Sequence, residues 1–164
     1  MTNSVVCKFG GSSVANADQI EKVRRIVADD SQRRFVVVSA PGRIYKNEEK
    51  ITDHLLNIAS NGTHFQEKRK TISAGESKQA VLERFTSIIN DLRIDGKKML
   101  ESLKQDLETN LQGERQIAFL ASRGEHYNAR IIAAYFHRRS LPPWHPENCL
   151  SPGIRILPAG RRGP

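Results

Sequence analysis

The first residues that could do chemistry are a lysine, two glycines and a serine that follow an apolar segment. The stretch VVCKFGGSSVA places Lys8 two positions before the pair Gly10 and Gly11, with Ser12 next in the chain. Glycine loops let backbone N–H groups approach phosphate oxygens, and lysine adds a compact, mobile positive charge. The lysine precedes the glycines, so the stretch departs from the Walker pattern. These residues indicate either a phosphate-binding loop or a tight strand-to-helix turn with a solvent-facing lysine.

A second loop of small residues follows the next apolar segment. The stretch VVVSAPG continues past its valines into Ser39 and Gly42, and Thr52 comes after a charged segment. If the two apolar segments are neighbouring strands, their loops form a crevice at the carboxyl edge of a sheet, where open α/β sheets bind ligands. Glu125, next to Gly124 in SRGEHYNAR, either points its carboxylate into such a site or stabilises the amino-terminal end of a helix.

Hydrophobic periodicity predicts the elements that would position these residues. Val5 to Phe9 and Phe35 to Ser39 are predicted strands whose apolar runs are typical of a parallel sheet covered on both faces. Between them lies a predicted helix, with Asn16 or Asp18 as its N-cap, whose apolar residues recur at helical spacing: Ile20, Val23, Ile26 and Val27. Strand, glycine turn, helix and strand together form one βαβ unit.

The second half of the chain is predicted to be helical. A short helix begins near Thr52 and ends at Asn61-Gly62, a longer one covers SKQAVLERFTSIINDL, and another begins at about Lys97. The stretch ERQIAFLASRGEHYNARIIAAYFHRR predicts two helical pieces separated at Gly124. We therefore expect an α/β beginning followed by a helical stretch.

The character of the sequence changes at residue 138. Six of the seven prolines lie beyond this point, where the chain is also rich in arginine. Proline removes backbone donors and disfavours helices and central strands. We expect residues 1–137 to form one domain and residues 138–164 to be a non-homologous, disordered tail.

Composition sets outer limits on function. The 164 residues include 26 Lys and Arg against 18 Asp and Glu, and the net charge of +8 favours phosphate-bearing partners. No apolar stretch is long enough for a spanning helix and no secretion signal is evident, so we expect a cytoplasmic protein. Cys7 and Cys149 have no metal-ligand spacing and are predicted to be free thiols.

Three motifs, taken together and in this order, resemble the amino-terminal part of aspartate kinases of the amino-acid kinase family. They are KFGGSSVA from Lys8, VVVSAPG followed by KITDHLL, and SRGEHYNARIIAAYF from Ser122, and they cover roughly Val5 to Phe136. The family usually has threonine where this chain has Ser12, a change that keeps the hydroxyl. The resemblance implies an α/β fold with an open, mostly parallel sheet and flanking helices.

The resemblance also implies a reaction: ATP-dependent phosphorylation of the side-chain carboxylate of L-aspartate to 4-phospho-L-aspartate. In the family this step begins lysine, threonine and methionine biosynthesis. It uses ATP together with Mg²⁺ carried by the nucleotide, with no metal ligands expected from these motifs. The expected partners are aspartate and ATP, with no nucleic acid and no membrane, and the family implies a homo-oligomer.

Residue roles follow by the same analogy. Lys8 is expected to hold phosphate oxygens in the transition state, as the catalytic residue. Four further residues are expected around the phosphates: Gly10, Gly11, Ser12 and Ser39. Thr52 and Glu125 are expected to bind aspartate, the hydroxyl at its polar groups and the carboxylate at its ammonium. No general base is required, since the acceptor carboxylate is ionised at neutral pH.

The resemblance stops near Arg138 and Arg139. Later elements of the family, including an arginine that grips the substrate carboxylate and an adenine-binding stretch, have no counterpart in the 164 residues. We expect the tail to be out-of-frame sequence after a truncation, and the chain alone to show little or no turnover. Three alternatives stay open: a glutamate or acetylglutamate kinase, a basic nucleic-acid-binding module, and a non-catalytic fragment that docks on full-length subunits.

Overall fold

A parallel βαβ unit opens the fold, as the sequence predicts. The computed structural model describes residues 4–67, 70–111, 113–139 and 155–158. Strand β1 (Val5–Phe9) leads through a 3-10 turn at Gly11–Val14 into helix α1 (Ala17–Ala28), and strand β2 (Arg33–Val38) returns parallel to β1. The N-cap of α1 is Asn16, whose side chain accepts a hydrogen bond from the Gln19 amide at 3.0 Å.

Five helices follow the βαβ unit. They are α2 (Ile51–Ala59), α3 (Thr63–Glu67), α4 (Ala74–Asp91), α5 (Lys97–Glu108) and α6 (Glu114–Arg138). Periodicity predicted α2 and α5 closely, missed the short α3, and began α4 three residues late. The earlier start of α4 comes from a capping box in which Ser73 and Glu76 satisfy each other's backbone amides.

The tail contains a strand that the sequence reasoning excluded. Strand β3 (Arg155–Pro158) lies parallel to β2, so that the sheet order is β1-β2-β3. The expectation of a wholly disordered tail is therefore wrong for these four residues. The proline is tolerated because Pro158 ends a strand whose sole neighbour in the described part of the chain is β2, and an edge strand does not need every N–H. The rest of the predicted tail after Arg139 lies outside the described residues.

The helical core covers one face of the sheet. Register pairs Cys7 with Val36 and Phe9 with Val38, and both valines are fully buried. Residues of β1 on the opposite face, such as Val6, are exposed. The buried cluster joins these valines to the apolar stripes of α1, α2, α4, α5 and α6. The carboxyl ends of β1 and β2 therefore pack against the helical core.

Helix α6 runs without interruption through Gly124, so the predicted break there is wrong. Glycine costs a helix about 1 kcal/mol relative to alanine, but tertiary packing decides this position. Gly124 is buried where α6 crosses the second loop, and a Cβ placed on it would lie 2.7 Å from the Ala40 Cβ and 3.3 Å from Leu55 Cδ1. The glycine therefore serves close packing of α6 against the loop, rather than a turn.

Two further sequence expectations can be compared with the described residues. Cys7 is a free thiol, as predicted, whereas Cys149 lies outside them. None of the described helices is long and apolar enough to span a bilayer.

Replacing Gly124 by alanine separates helix propensity from packing. Propensity alone favours alanine, but the clash with Ala40 should make Gly124→Ala destabilising by about 1–3 kcal/mol. The matched control is Gly75→Ala in α4, where the nearest atom to the added Cβ is Ser73 Oγ at 3.8 Å; this variant should be neutral or slightly stabilising. Urea unfolding of both variants measures the difference, and a stabilised Gly124→Ala chain would contradict the packing argument.

Candidate functional site

A cleft of about 400 Å³ lies at the carboxyl edge of the sheet. Its walls come from the loops after β1 and β2, the start of α2 and the middle of α6. Five of the residues singled out from sequence line it: Gly11, Ser12, Ser39, Thr52 and Glu125. These residues are separated by up to 114 positions in the chain, and the fold brings them to the edge where open α/β sheets bind ligands.

The two glycine loops touch backbone to backbone. The Gly42 amide donates to the Gly11 carbonyl at 2.9 Å, and the Ser39 amide donates to the Phe9 carbonyl at 3.1 Å. A Cβ on Gly42 would lie 2.5 Å from the Gly11 carbonyl carbon, and one on Gly11 would lie 3.0 Å from the Ala40 oxygen. Such distances exclude any side chain at Gly42, so the approach of the loops itself requires this glycine.

Helix α6 fastens the second loop to the core. Asn128 is fully buried and its Nδ2 donates to the Ser39 carbonyl at 2.7 Å. One turn away, Gly124 lets the helix lie directly on Ala40. The Asn128 Oδ1 is buried without a hydrogen-bond partner, so the hydrogen bond of this side chain is the one that Nδ2 donates to the second loop. The loop that carries Ser39 is thus held by the helix that carries Glu125.

The two residues predicted to bind the acceptor line the cleft from two different helices. Thr52 is the second residue of α2, two positions after the N-cap Lys50, and Glu125 projects from the middle of α6. Both are half-buried. The sequence reasoning placed Glu125 at a chain break, yet it reaches the cleft from a continuous helix, because Gly124 allows α6 to approach so closely.

Lys8 and Gly10 are not among the residues that line the cleft. Lys8 lies in β1 opposite Val37, with an exposed side chain on the face away from the helical core. Gly10 has extended backbone, and a Cβ added there would meet nothing within 4 Å. The open space above Gly10 leaves room for a ligand group against the backbone, and the roles of both residues stay predictions.

Two cations line the cleft that the sequence reasoning did not single out. Arg43 follows Gly42, and Lys50 is the N-cap of α2; both are exposed, and no hydrogen bond or ion pair of either side chain is seen among the described residues. Glu125 is the one acid among the described residues that line the cleft. A loop lysine gives no periodic signal, although its position in KITDHLL, inside a recognised motif, could have indicated it. The cleft therefore combines two exposed cations with a carboxylate from α6.

Charges also cluster behind Glu125 on α6. Burial lowers the pKa of His126, and the nearby Arg123 and Arg130 lower it further. His126 is therefore neutral at physiological pH. Arg123 pairs with Asp106 of α5 at 3.0 Å, and the Tyr127 hydroxyl donates to the same carboxylate at 2.9 Å. These contacts hold α6 to α5 on the side of the helix away from the cleft.

Three larger cavities lie elsewhere among the described residues. The first, of about 570 Å³, is bounded by α2, α4, α5 and the start of α6; the second, of about 540 Å³, lies along α4; the third, of about 530 Å³, lies between α3 and the start of α4. None of the three is lined by a residue of the glycine loops or by a predicted site residue. Position at the carboxyl edge of the sheet, rather than size, therefore identifies the smaller cleft as the candidate site.

Comparison with known proteins agrees with this fold. The pattern of the Amino acid kinase family matches residues 3–145, most of the chain. The chain belongs to the amino acid kinase family. The matched range ends at residue 145, and the predicted division of the chain at residue 137 stays a prediction.

This amino acid kinase chain is 40% identical over 141 residues to Aspartokinase 3 from Bacillus subtilis strain 168, which confirms the resemblance to aspartate kinases. That match covers 83% of the chain and 30% of the relative, so the chain spans less than a third of the relative's length.

Solved structures give the same result. Aspartate kinase from Clostridium acetobutylicum superposes with a TM-score of 0.66 at 33% identity, covering 80% of this amino acid kinase chain and 28% of the other. E. coli aspartokinase III in complex with aspartate and ADP superposes with a TM-score of 0.63 at 23% identity, over 85% and 30% of the two chains. The second match supports the fold alone.

Asn128→Ala tests whether α6 holds the second loop. The substitution leaves the Ser39 carbonyl without its donor, and an unpaired buried acceptor costs about 1–3 kcal/mol. We expect a loss of that size in urea unfolding, together with faster amide hydrogen exchange in the Ser39–Gly42 loop. Ser122→Ala, on the exposed face of the same helix, should alter neither measurement. Unchanged exchange in the loop of the Asn128 variant would contradict the proposed fastening.

Proposed function

We propose that this chain provides the phosphate-binding and acceptor-binding part of an aspartate kinase. In the complete reaction the γ-phosphoryl group of ATP passes to the side-chain carboxylate of L-aspartate, giving 4-phospho-L-aspartate, the first step of lysine, threonine and methionine biosynthesis. The observation that carries the proposal is the cleft itself, which brings the two glycine loops together with Thr52 and Glu125.

The loops are suited to the phosphates. Gly11 and Ser12, at the start of the 3-10 turn, come from the first loop. Ser39, directly after β2, comes from the second. Arg43 and Lys50 add positive charge near these loops, where phosphoryl transfer needs its developing negative charge stabilised. Lys8 would reach the phosphates from β1. These residues would orient the phosphates and neutralise their negative charge. The acceptor carboxylate needs no general base because it is already ionised.

The walls beyond the loops are suited to an amino acid with a second carboxylate. Glu125 would bind the ammonium group, and the Thr52 hydroxyl would bind a neighbouring polar group. ATP supplies the phosphoryl group, and Mg²⁺ would enter bound to its phosphates. The described residues include no cluster of three or more His, Cys, Asp or Glu side chains suited to a metal ion. The available cations and the exposed loop backbone fit the nucleotide's phosphates.

The lining and the volume of the cleft support a site that binds only part of each substrate. No aromatic side chain is among the described residues that line the cleft, so nothing there would stack on adenine. The cleft volume of about 400 Å³ is near the lower end for small-molecule sites. We therefore propose that the chain binds the polar ends of both substrates and turns over little or not at all by itself.

Calorimetry with the purified 164-residue chain tests the proposed function. We expect Mg²⁺-ADP and L-aspartate to bind, and L-glutamate and N-acetylglutamate to bind at least about 10-fold more weakly than aspartate. Glu125→Gln should weaken aspartate by about 10- to 100-fold, the worth of a charged hydrogen bond, with little effect on ADP.

The outcomes of that experiment are distinct. Preference for glutamate or N-acetylglutamate would favour a related kinase, and binding of none of the four ligands would overturn the proposal. A coupled assay for aspartate-dependent ADP formation tests the expected lack of turnover. Substantial turnover by the chain alone would contradict the proposal that its site is partial.

A pair of glycine variants tests whether phosphate occupies the space above Gly10. Its backbone angles suit alanine and the added Cβ meets no atom, so Gly10→Ala should leave stability unchanged. A phosphate resting against this backbone would collide with the methyl group, and we expect ADP affinity to fall at least about 10-fold. Gly42→Ala is the contrasting variant, because its Cβ clashes with Gly11 and should cost about 1–3 kcal/mol of stability. Unchanged ADP affinity in Gly10→Ala would contradict phosphate binding there.

A further inference from the structure

Arg84 of α4 reaches under both glycine loops. Its Nη1 donates to the Gly42 carbonyl at 2.8 Å and lies 3.5 Å from the Ala15 carbonyl, which follows the 3-10 turn of the first loop. Its Nη2 forms an ion pair with the Glu48 carboxylate. The side chain is only 9% exposed, and its one guanidinium contacts three acceptors, one after the first glycine loop and two in the segment from Gly42 to Glu48.

Glu48 extends this contact to the segment that borders the cleft. While Oε1 pairs with Arg84, Oε2 accepts a hydrogen bond from the Ile44 amide at 2.7 Å. The segment from Gly42 to Glu48 is thereby closed into a loop, anchored at its first residue by the guanidinium and at its last by the ion pair. Arg43, one of the two cations that line the cleft, lies within this loop.

An arginine is suited to this arrangement in a way that lysine is not. The planar guanidinium presents five N–H donors in fixed directions, whereas an ammonium is a compact charge on a flexible stem. Burial lowers the pKa of Arg84, yet an arginine remains charged at any physiological pH. A buried charge that is hydrogen-bonded in this way restrains the groups that it contacts, because each of them would be left unpaired if the guanidinium moved.

We propose that Arg84 is a positioning residue, which sets the separation of the two glycine loops and orients the Gly42–Glu48 segment for binding phosphate. The inference rests on the proposed function for the identity of the ligand. Arg84 does not line the cleft and touches no substrate; it acts through the Gly42 carbonyl and through Glu48. Nucleotide affinity should therefore depend on a residue that lies behind the loops.

Amide hydrogen exchange and ADP calorimetry on the full 164-residue chain test this role. In Arg84→Lys we expect exchange at the Gly42 and Ile44 amides to rise at least about 10-fold, while core amides such as Ile88 and Ile132 keep their wild-type rates. ADP affinity should fall by about the same factor. The matched control is Lys78→Gln in the same helix α4, which breaks the ion pair between Lys78 and Glu108 of α5 and should change neither reading.

Glu48→Gln provides a second variant in case Arg84→Lys does not fold. It removes the charge that pairs with Arg84 and that accepts from the Ile44 amide, but it keeps the hydrogen bond from Arg84 to the Gly42 carbonyl. Exchange should therefore rise at Ile44 and stay unchanged at Gly42. Unchanged exchange at Ile44 in Glu48→Gln, or an equal rise at every core amide in Arg84→Lys, would overturn the positioning role. Failure of the unaltered chain to bind ADP would instead overturn the proposed function, while the exchange rates would still decide whether Arg84 orders the loops.

Discussion

The candidate site depends on a direct backbone contact between two loops. The Gly42 amide donates to the Gly11 carbonyl, and any side chain on Gly42 would lie within 2.5–2.8 Å of Gly11 and Ser12 backbone atoms. Because this contact joins the carboxyl ends of two neighbouring parallel strands, it creates the crevice in which the remaining site residues meet. A loss of this approach would separate Ser12 from Ser39, whatever the helices did.

The helices that build the core also hold this contact in place. Asn128 binds the Ser39 carbonyl from α6, and Arg84 binds the Gly42 carbonyl from α4, so the second loop is fixed at its two ends. Gly124 lets α6 lie directly on Ala40 between them. The packing of α4 and α6 therefore helps to determine the geometry of the two glycine loops. Such preorganisation reduces the cost of ordering the site when a ligand binds.

The cleft carries charges of both signs. Arg43 lies in the loop after β2, Lys50 at the start of α2 and Glu125 on α6. This combination supports the proposed binding of phosphates and of an ammonium group in the same cleft. The chain belongs to the amino acid kinase family and spans less than a third of the length of the curated relative.

The sequence by itself determined the local features, because they depend on neighbouring residues: the βαβ unit, helices α2 and α5, and the three family motifs. It offered both Asn16 and Asp18 as the cap of α1, and the structure has Asn16. It misread Gly124 as a break and missed the strand at Arg155–Pro158, since both depend on partners distant in the chain. Arg84 gave no signal at all, as an arginine in an amphipathic helix is ordinarily a solvated residue. Only the tertiary structure decided that Gly10 faces open space while Gly42 meets the backbone of another loop, because that difference comes from packing between segments distant in the chain.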